Sequence, residues 1–144
     1  MSSITRKADY AARVLLHLAM SPPGMWIRTQ EIARQQLIPG CLIRHVIVSL
    51  VGAGLVRTKR GSGGGVRLAR AASEISLLDA VEAIEGPFYL NTCIPDPSEC
   101  ALSHRCPVHD AWVRAQDVLV EQLRRETFDR LAERGQEGVQ KGGD

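Results

Sequence analysis

The sequence predicts a mainly α-helical fold with a small β-hairpin wing: a winged helix-turn-helix followed by a long C-terminal dimerisation helix. Three observations predict it. Helix-period apolar stripes recur between Pro- and Gly-rich stops. A basic hairpin with a glycine-rich tip directly follows the third stripe. A final stripe runs too long for so small a chain to cover by itself. At 144 residues the chain suffices for one ordinary domain, or a small domain plus an oligomerising helix.

Thr5 can cap a first helix through about Met20, with Ala8, Ala11, Val14, Leu15, Leu18 and Ala19 at helical spacing. Pro22-Pro23-Gly24 stops it. Thr29 is the cap candidate for a short second helix to about Gln36, with Ile32 and Ala33 inward. Pro39 suits the first turn of a third helix, whose stripe is Leu42, Ile43, Val46, Ile47, Leu50 and Val51 and whose end is marked by Gly52 and Gly54. Two short helices so joined read as a helix-turn-helix. The β-prone run Leu55–Lys59, the turn Arg60–Gly65 and the return Val66–Leu68 make the wing. Ser76 and Asp79 form a capping-box-like pair opening a fourth helix that Gly86-Pro87 ends. Pro95 and Pro97 keep residues 88–105 irregular. From Pro107 to about Arg134 the pattern is helical again, with Val108, Trp112, Ala115, Leu119 and Leu123 on a stripe read as a dimer surface. The expected organisation is a DNA-binding domain over 1–86, a cysteine-rich cluster-binding loop over 87–106, a dimerisation helix over 107–134 and a Gly-rich disordered tail over 135–144.

Charge divides the chain in the same place. Residues 1–70 carry eleven Lys/Arg against Asp9 and Glu31, a net +9, whereas residues 71–144 are net −7. Such asymmetry points the first half at a polyanion. The expected partner is a double-stranded DNA operator. The third helix would read its major groove from Gly40, Cys41, Arg44 and His45, Arg44 being suited to bidentate contact with guanine. Thr29 and the wing residues Arg57, Lys59, Arg60, Ser62, Gly63 and Arg67 would complete the contact. The wing is not a P-loop, because no Gly-Lys-Ser/Thr follows and no helix starts there. No stretch approaches the ~20 apolar residues of a membrane span, and no export signal is expected, so the compartment is the reducing cytoplasm. There, clustered cysteines are more often metal ligands than disulfides.

Cys93, Cys100, Cys106 and His109 fall within seventeen residues. Cys106 and His109 stand three apart at a helix start, where two side chains can converge on one ion and the positive helix end favours a thiolate. Such a set fits an iron–sulfur cluster or a structural zinc. The long, Pro-containing gaps favour the cluster. Cys41, far away in sequence, reads as a small neutral residue, and Trp112 as core or dimer interface. A catalytic Cys–His pair is not expected, since no oxyanion or substrate site accompanies it, and the chain is not read as an enzyme.

Ile4-Thr5-Arg6-Lys7-Ala8-Asp9-Tyr10-Ala11, the run Ala53-Gly54-Leu55-Val56-Arg57 leading to Arg60–Leu68, and Ile75-Ser76-Leu77-Leu78-Asp79-Ala80-Val81 resemble the Rrf family of bacterial winged-helix regulators, of the IscR- and NsrR-like, iron–sulfur type. The likeness spans roughly residues 1–132. It implies a homodimer on a palindromic operator and a two-iron or four-iron cluster, the four-iron form ranked first, with Cys93, Cys100 and Cys106 as ligands. The fourth ligand is His109, matched in Cys106-Pro107-Val108-His109-Asp110-Ala111-Trp112, or Asp9 from the partner subunit. His109 is ranked first because it is local. Gly40–His45 lacks the aromatic and lysine often found there, so the resemblance does not give the operator sequence. The expected function is a homodimeric transcriptional repressor sensing iron, redox state, oxygen or nitric oxide through the cluster. The alternative is a zinc-stabilised DNA-binding regulator without cluster sensing.

Overall fold

A computed structural model describes residues 4–143. Asp144, the last residue of the expected tail, and residues 1–3 of the expected first domain lie outside the described residues. The helices are α1 (Arg6–Met20), α2 (Thr29–Gln35), α3 (Gly40–Gly52), α4 (Leu77–Glu85), α5 (Pro107–Arg125) and α6 (Phe128–Lys141). Strands β1 (Val56–Lys59) and β2 (Gly65–Leu68) form the antiparallel hairpin, in the register Val56↔Leu68 to Lys59↔Gly65. Short 3₁₀ turns occupy Ala72–Glu74, Pro97–Glu99 and Ser103–Arg105. The mainly α fold with a hairpin wing is as the sequence predicts.

Local chemistry sets most boundaries. Thr5 Oγ1 accepts from the Ala8 amide at 3.2 Å and opens α1. Ser76 and Asp79 close a reciprocal capping box on α4. Two expected boundaries move by a residue: Thr29 is the first residue of α2 rather than its cap, and Pro39 stands before α3 in the cap position. Val14, Leu15, Ile32, Val46, Leu50, Leu55, Val56, Val66, Ile75 and Phe128 are fully buried and form the centre of one core. No single helix is long and apolar enough to cross a membrane.

The last third corrects the sequence reading. The helix expected over 107–134 breaks at Glu126-Thr127, whose backbone pairs with the strand-like segment before α4. Leu77 N–H donates to Glu126 O at 2.7 Å and Phe128 N–H to Ile75 O at 3.0 Å. The break lets Phe128 enter the core and turns α6 back onto α1. Phe128, Leu131 and Ala132 thus bury against the N-terminal core, while Val108, Trp112 and Val118 of α5 stay exposed. The expected disordered tail is also corrected, since α6 continues to Lys141, with Gly135 seated against the Met20 side chain.

His17, half-buried on α1, places Nδ1 3.2 Å from Gln36 Nε2. Burial pushes its imidazole below the ordinary range, with the charge of Glu31 opposing. A ring harder to protonate when folded contributes stability that is fully present above the ordinary imidazole pKa of about 6.5 and is lost as pH falls from there through the lowered folded-state value. The melting temperature should therefore fall more between about pH 7.5 and 5.5 in the wild type than in His17→Gln. Parallel pH profiles would contradict this assignment.

Candidate nucleic-acid interface and cysteine loop

A groove of about 640 Å³ opens where the N-termini of α2 and α3 meet the wing. Arg28, Thr29, Gln30, Gly40, Arg44 and Lys59 line it, with Gly61, Gly64 and Gly65 on the wing side. Of the sequence candidates, the fold therefore brings Thr29, Gly40, Arg44 and Lys59 around one concavity. Cys41, His45, Arg60, Ser62 and Gly63 are exposed but lie outside the groove lining. Arg57 lies on another face of the wing, with Trp26 and Arg70. Among the described residues, the ion pairs are Asp9–Arg13, Glu121 with Arg124 and Arg125, and Glu126–Arg134. None engages the groove or wing cations, which are thus left available to an external anion.

Sequence reasoning missed three residues here. Arg28 and Gln30 flank Thr29 and add a cation and an amide to the groove. Trp26 stacks beneath the wing: the Arg67 guanidinium lies 4.2 Å and the Lys59 ammonium 5.8 Å from its ring centroid. Both distances are within cation–π range, so the indole limits where the two cations point. The detectable signal was an aromatic residue, in a chain with few, placed just after the Pro-Pro-Gly stop.

The segment Ile27-Arg28 also crosses the wing as a third backbone. Ile27 N–H donates to Val66 O at 2.9 Å, and Val66 N–H to Ile27 O at 2.7 Å. Gly65 makes that crossing possible, because a Cβ there would stand 2.2 Å from Ile27 O. The α2 end of the groove and the wing are thereby fixed to each other.

In the cysteine loop the fold brings two of the four expected ligands together. His109 Nδ1 lies 3.2 Å from Cys93 Sγ, with Cys93 buried. Cys106 immediately precedes α5 and is half-buried, whereas Cys100 is exposed. Among the described residues, no group of three or more His, Cys, Asp or Glu stands close enough to hold a metal ion. Asp9 is 2.7 Å from Arg13 in an i,i+4 ion pair, and Arg13 also donates to Gln36 O. The Asp9 carboxylate is thus already engaged within its own chain.

The loop hangs from a residue the sequence reading passed over. Gln116, 6% exposed on α5, donates from Nε2 to Phe88 O at 2.6 Å and accepts the Leu90 amide at Oε1, 2.8 Å away. His109 and Gln116 are seven residues apart, two turns along one face. That spacing was the available signal: two polar side chains on one face of α5, with Val118, 71% exposed, on the opposite one. Ser103 is buried between Cys100 and Cys106, and its hydroxyl has no partner. Soft thiols, an imidazole and an unpartnered buried hydroxyl in one segment fit a thiophilic metal group by donor chemistry.

A family model described as Rrf2, iron-dependent transcriptional regulator, matches residues 4–134. Protein aau3 of Rhizobium meliloti (strain 1021) is 35% identical over 129 residues, covering 89% of this chain and 83% of its own length. The HTH-type transcriptional regulator NsrR of Bacillus subtilis (strain 168) is 33% identical over 104 residues, 72% of this chain and 71% of that protein. The solved structure of CymR, the global cysteine regulator of B. subtilis, superposes with a TM-score of 0.76 at 25% identity, covering 92% of this chain and 98% of that one.

Proposed function

The chain belongs to the Rrf2 family of transcriptional regulators, and from that premise we propose that it is a homodimeric DNA-binding repressor whose cysteine loop holds an iron–sulfur cluster. The observation that carries the cluster reading is the convergence of Cys93 Sγ and His109 Nδ1 at 3.2 Å, across a loop pinned at its entrance by Gln116. Cys93, Cys100, Cys106 and His109 would hold the group. His109 takes precedence over Asp9, because Asp9 would first have to leave Arg13. When bound, the cluster would supply chemistry sensitive to iron supply, redox state, oxygen or nitric oxide.

The protein's own groups would do the rest. Arg44 on α3 reads bases in the major groove, while Arg28, Lys59 and the α2 and α3 N-termini take phosphate. The exposed apolar face of α5 packs against the same face of a second copy, burying Val108, Trp112 and Val118. His109 lies on the first turn of that helix, so its orientation and that of the partner subunit are linked. Such coupling is typically worth about 1–3 kcal/mol. The whole assembly works in the cytoplasm.

The test is anaerobic purification followed by iron, sulfide and zinc content on one sample, then operator binding with and without the bound group. The expected result is iron and sulfide in near-equal amounts and an operator affinity that changes when they are lost. One zinc per chain and no colour would favour the zinc-stabilised regulator. Absence of both metals would move the reading toward a regulator that holds no metal group. Equal affinity with and without the cluster would sink the sensing proposal while leaving the DNA-binding one standing.

A further inference from the structure

Among the described residues from 87 to 115, only two are buried: the thiol-bearing Cys93 and the hydroxyl-bearing Ser103. The loop has no apolar centre of its own, since Tyr89 and Leu102 are exposed. Ser103 opens the 3₁₀ turn Ser103–Arg105, three residues after Cys100 and three before Cys106. Its backbone amide is satisfied, donating to Cys100 O at 3.1 Å. Its hydroxyl is not, and no partner lies within hydrogen-bond reach.

Other serines show how easily such a group finds one. Ser21 and Ser49 donate to the carbonyls of His17 and His45, Ser76 to Asp79, and exposed Ser98 in this same loop to Asp96. A buried hydroxyl without a partner forfeits its hydration for nothing, and a loop this exposed would turn it out to water unless something inside accepted it. Serine has one O–H to donate, and the loop carries three cysteine sulfurs that would be anionic acceptors once they ligate a metal group.

We propose that the Ser103 hydroxyl donates a hydrogen bond to a sulfur of the group held by the cysteine loop and sets that group's reduction potential. The inference rests on the iron–sulfur reading above. A donor aimed at sulfur favours the more negative, reduced state, because a charge-assisted bond strengthens with the acceptor's charge. Ser103 therefore raises the potential, and its loss lowers it. Ser103 is a tuning residue and not a ligand.

The experiment uses the full chain as wild type, Ser103→Ala and Ser103→Thr, each reconstituted anaerobically with ferrous iron and sulfide. Each is titrated at a mediated electrode that supplies the single electron, and the apo forms are melted in parallel. All three are expected to load iron and sulfide equally. Ser103→Ala should shift the reduced-to-oxidised ratio by about tenfold toward oxidised, a lowering of about 59 mV for a one-electron couple, and Ser103→Thr should stay near wild type. Apo Ser103→Ala should melt at or above the wild-type temperature, because it removes an unsatisfied group. An unchanged potential in a fully loaded Ser103→Ala overturns the inference, as does a Ser103→Thr that shifts like alanine. An apo Ser103→Ala that melts lower assigns the hydroxyl a structural partner and overturns it too. A wild type that takes up no iron and sulfide overturns the cluster reading itself, and this inference with it.

Discussion

Gly65→Ala should lose operator binding while the rest of the fold survives at a lower melting temperature. Gly65 holds φ +146, where an L side chain is strained, and its added Cβ would meet Ile27 O at 2.2 Å and Ile27 C at 2.6 Å. Those are backbone atoms fixed by the pair of bonds between Ile27 and Val66, so no side chain can move aside. The wing must separate from the Ile27-Arg28 segment. Strain of about 1–3 kcal/mol and two lost backbone bonds, each worth roughly 0.5–1.5 kcal/mol, give about 2–6 kcal/mol in all. For a chain of this size that is a drop of about 6–18 °C.

The effect on binding should exceed the effect on stability. Lys59 and Arg67 are oriented by Trp26, which adjoins Ile27, and Arg28 and Lys59 both line the groove. Parting the two backbones spreads the cations that must meet phosphates together. Gly63→Ala is the control: it lies in the same turn at φ +75 but has nothing within 4 Å of the added Cβ. It should show only the left-handed strain, roughly 1–2 kcal/mol. Thermal melts and operator titrations at one salt concentration decide the matter, and equal behaviour of the two variants would refute the crossing as the wing's anchor.

That contrast marks what a sequence can show. The glycine run was legible as a basic turn, and the capping residues Thr5 and Ser76 announced two helices, because those signals are local. What separates Gly65 from Gly63 is a strand crossing nearly forty residues away in sequence, which no turn pattern contains. Phe128 repeats the lesson. Its spacing with Leu131 and Ala132 is as helical as the α5 stripe before it, so one long helix was the natural reading. Only the pairing of Glu126-Thr127 beside Ile75–Leu77 turns that stripe inward. For the cysteine loop, the residue types and close spacing were legible. The convergence of Cys93 with His109 depends on how the loop is suspended, and that depends on Gln116, an unremarkable polar residue until its two partners are in place.

Gln116→Leu should release that loop and reduce iron uptake, with little change in the global melting temperature. Leucine approximates the volume of glutamine but leaves Phe88 O and the Leu90 amide unpaired. Keeping the loop docked would then cost about 1–3 kcal/mol for each group. A surface loop has a cheaper course, which is to lift away and return both groups to water. Lifting separates Cys93 from His109, so the ligands must be gathered at each binding event rather than held beforehand. Gln116→Glu should be worse at neutral pH, because it sets a carboxylate oxygen against the Phe88 carbonyl where an N–H had donated. It should recover as the pH falls, since a protonated Glu regains a donor. Amide hydrogen exchange at Leu90 in the apo protein reads the loop directly, and iron and sulfide content reads its consequence. The expected order of loop protection is wild type, then Leu, then Glu. A Leu90 amide as protected in Gln116→Leu as in wild type would show that the loop is held by something other than α5, and the preorganised pairing of Cys93 with His109 would lose its structural cause.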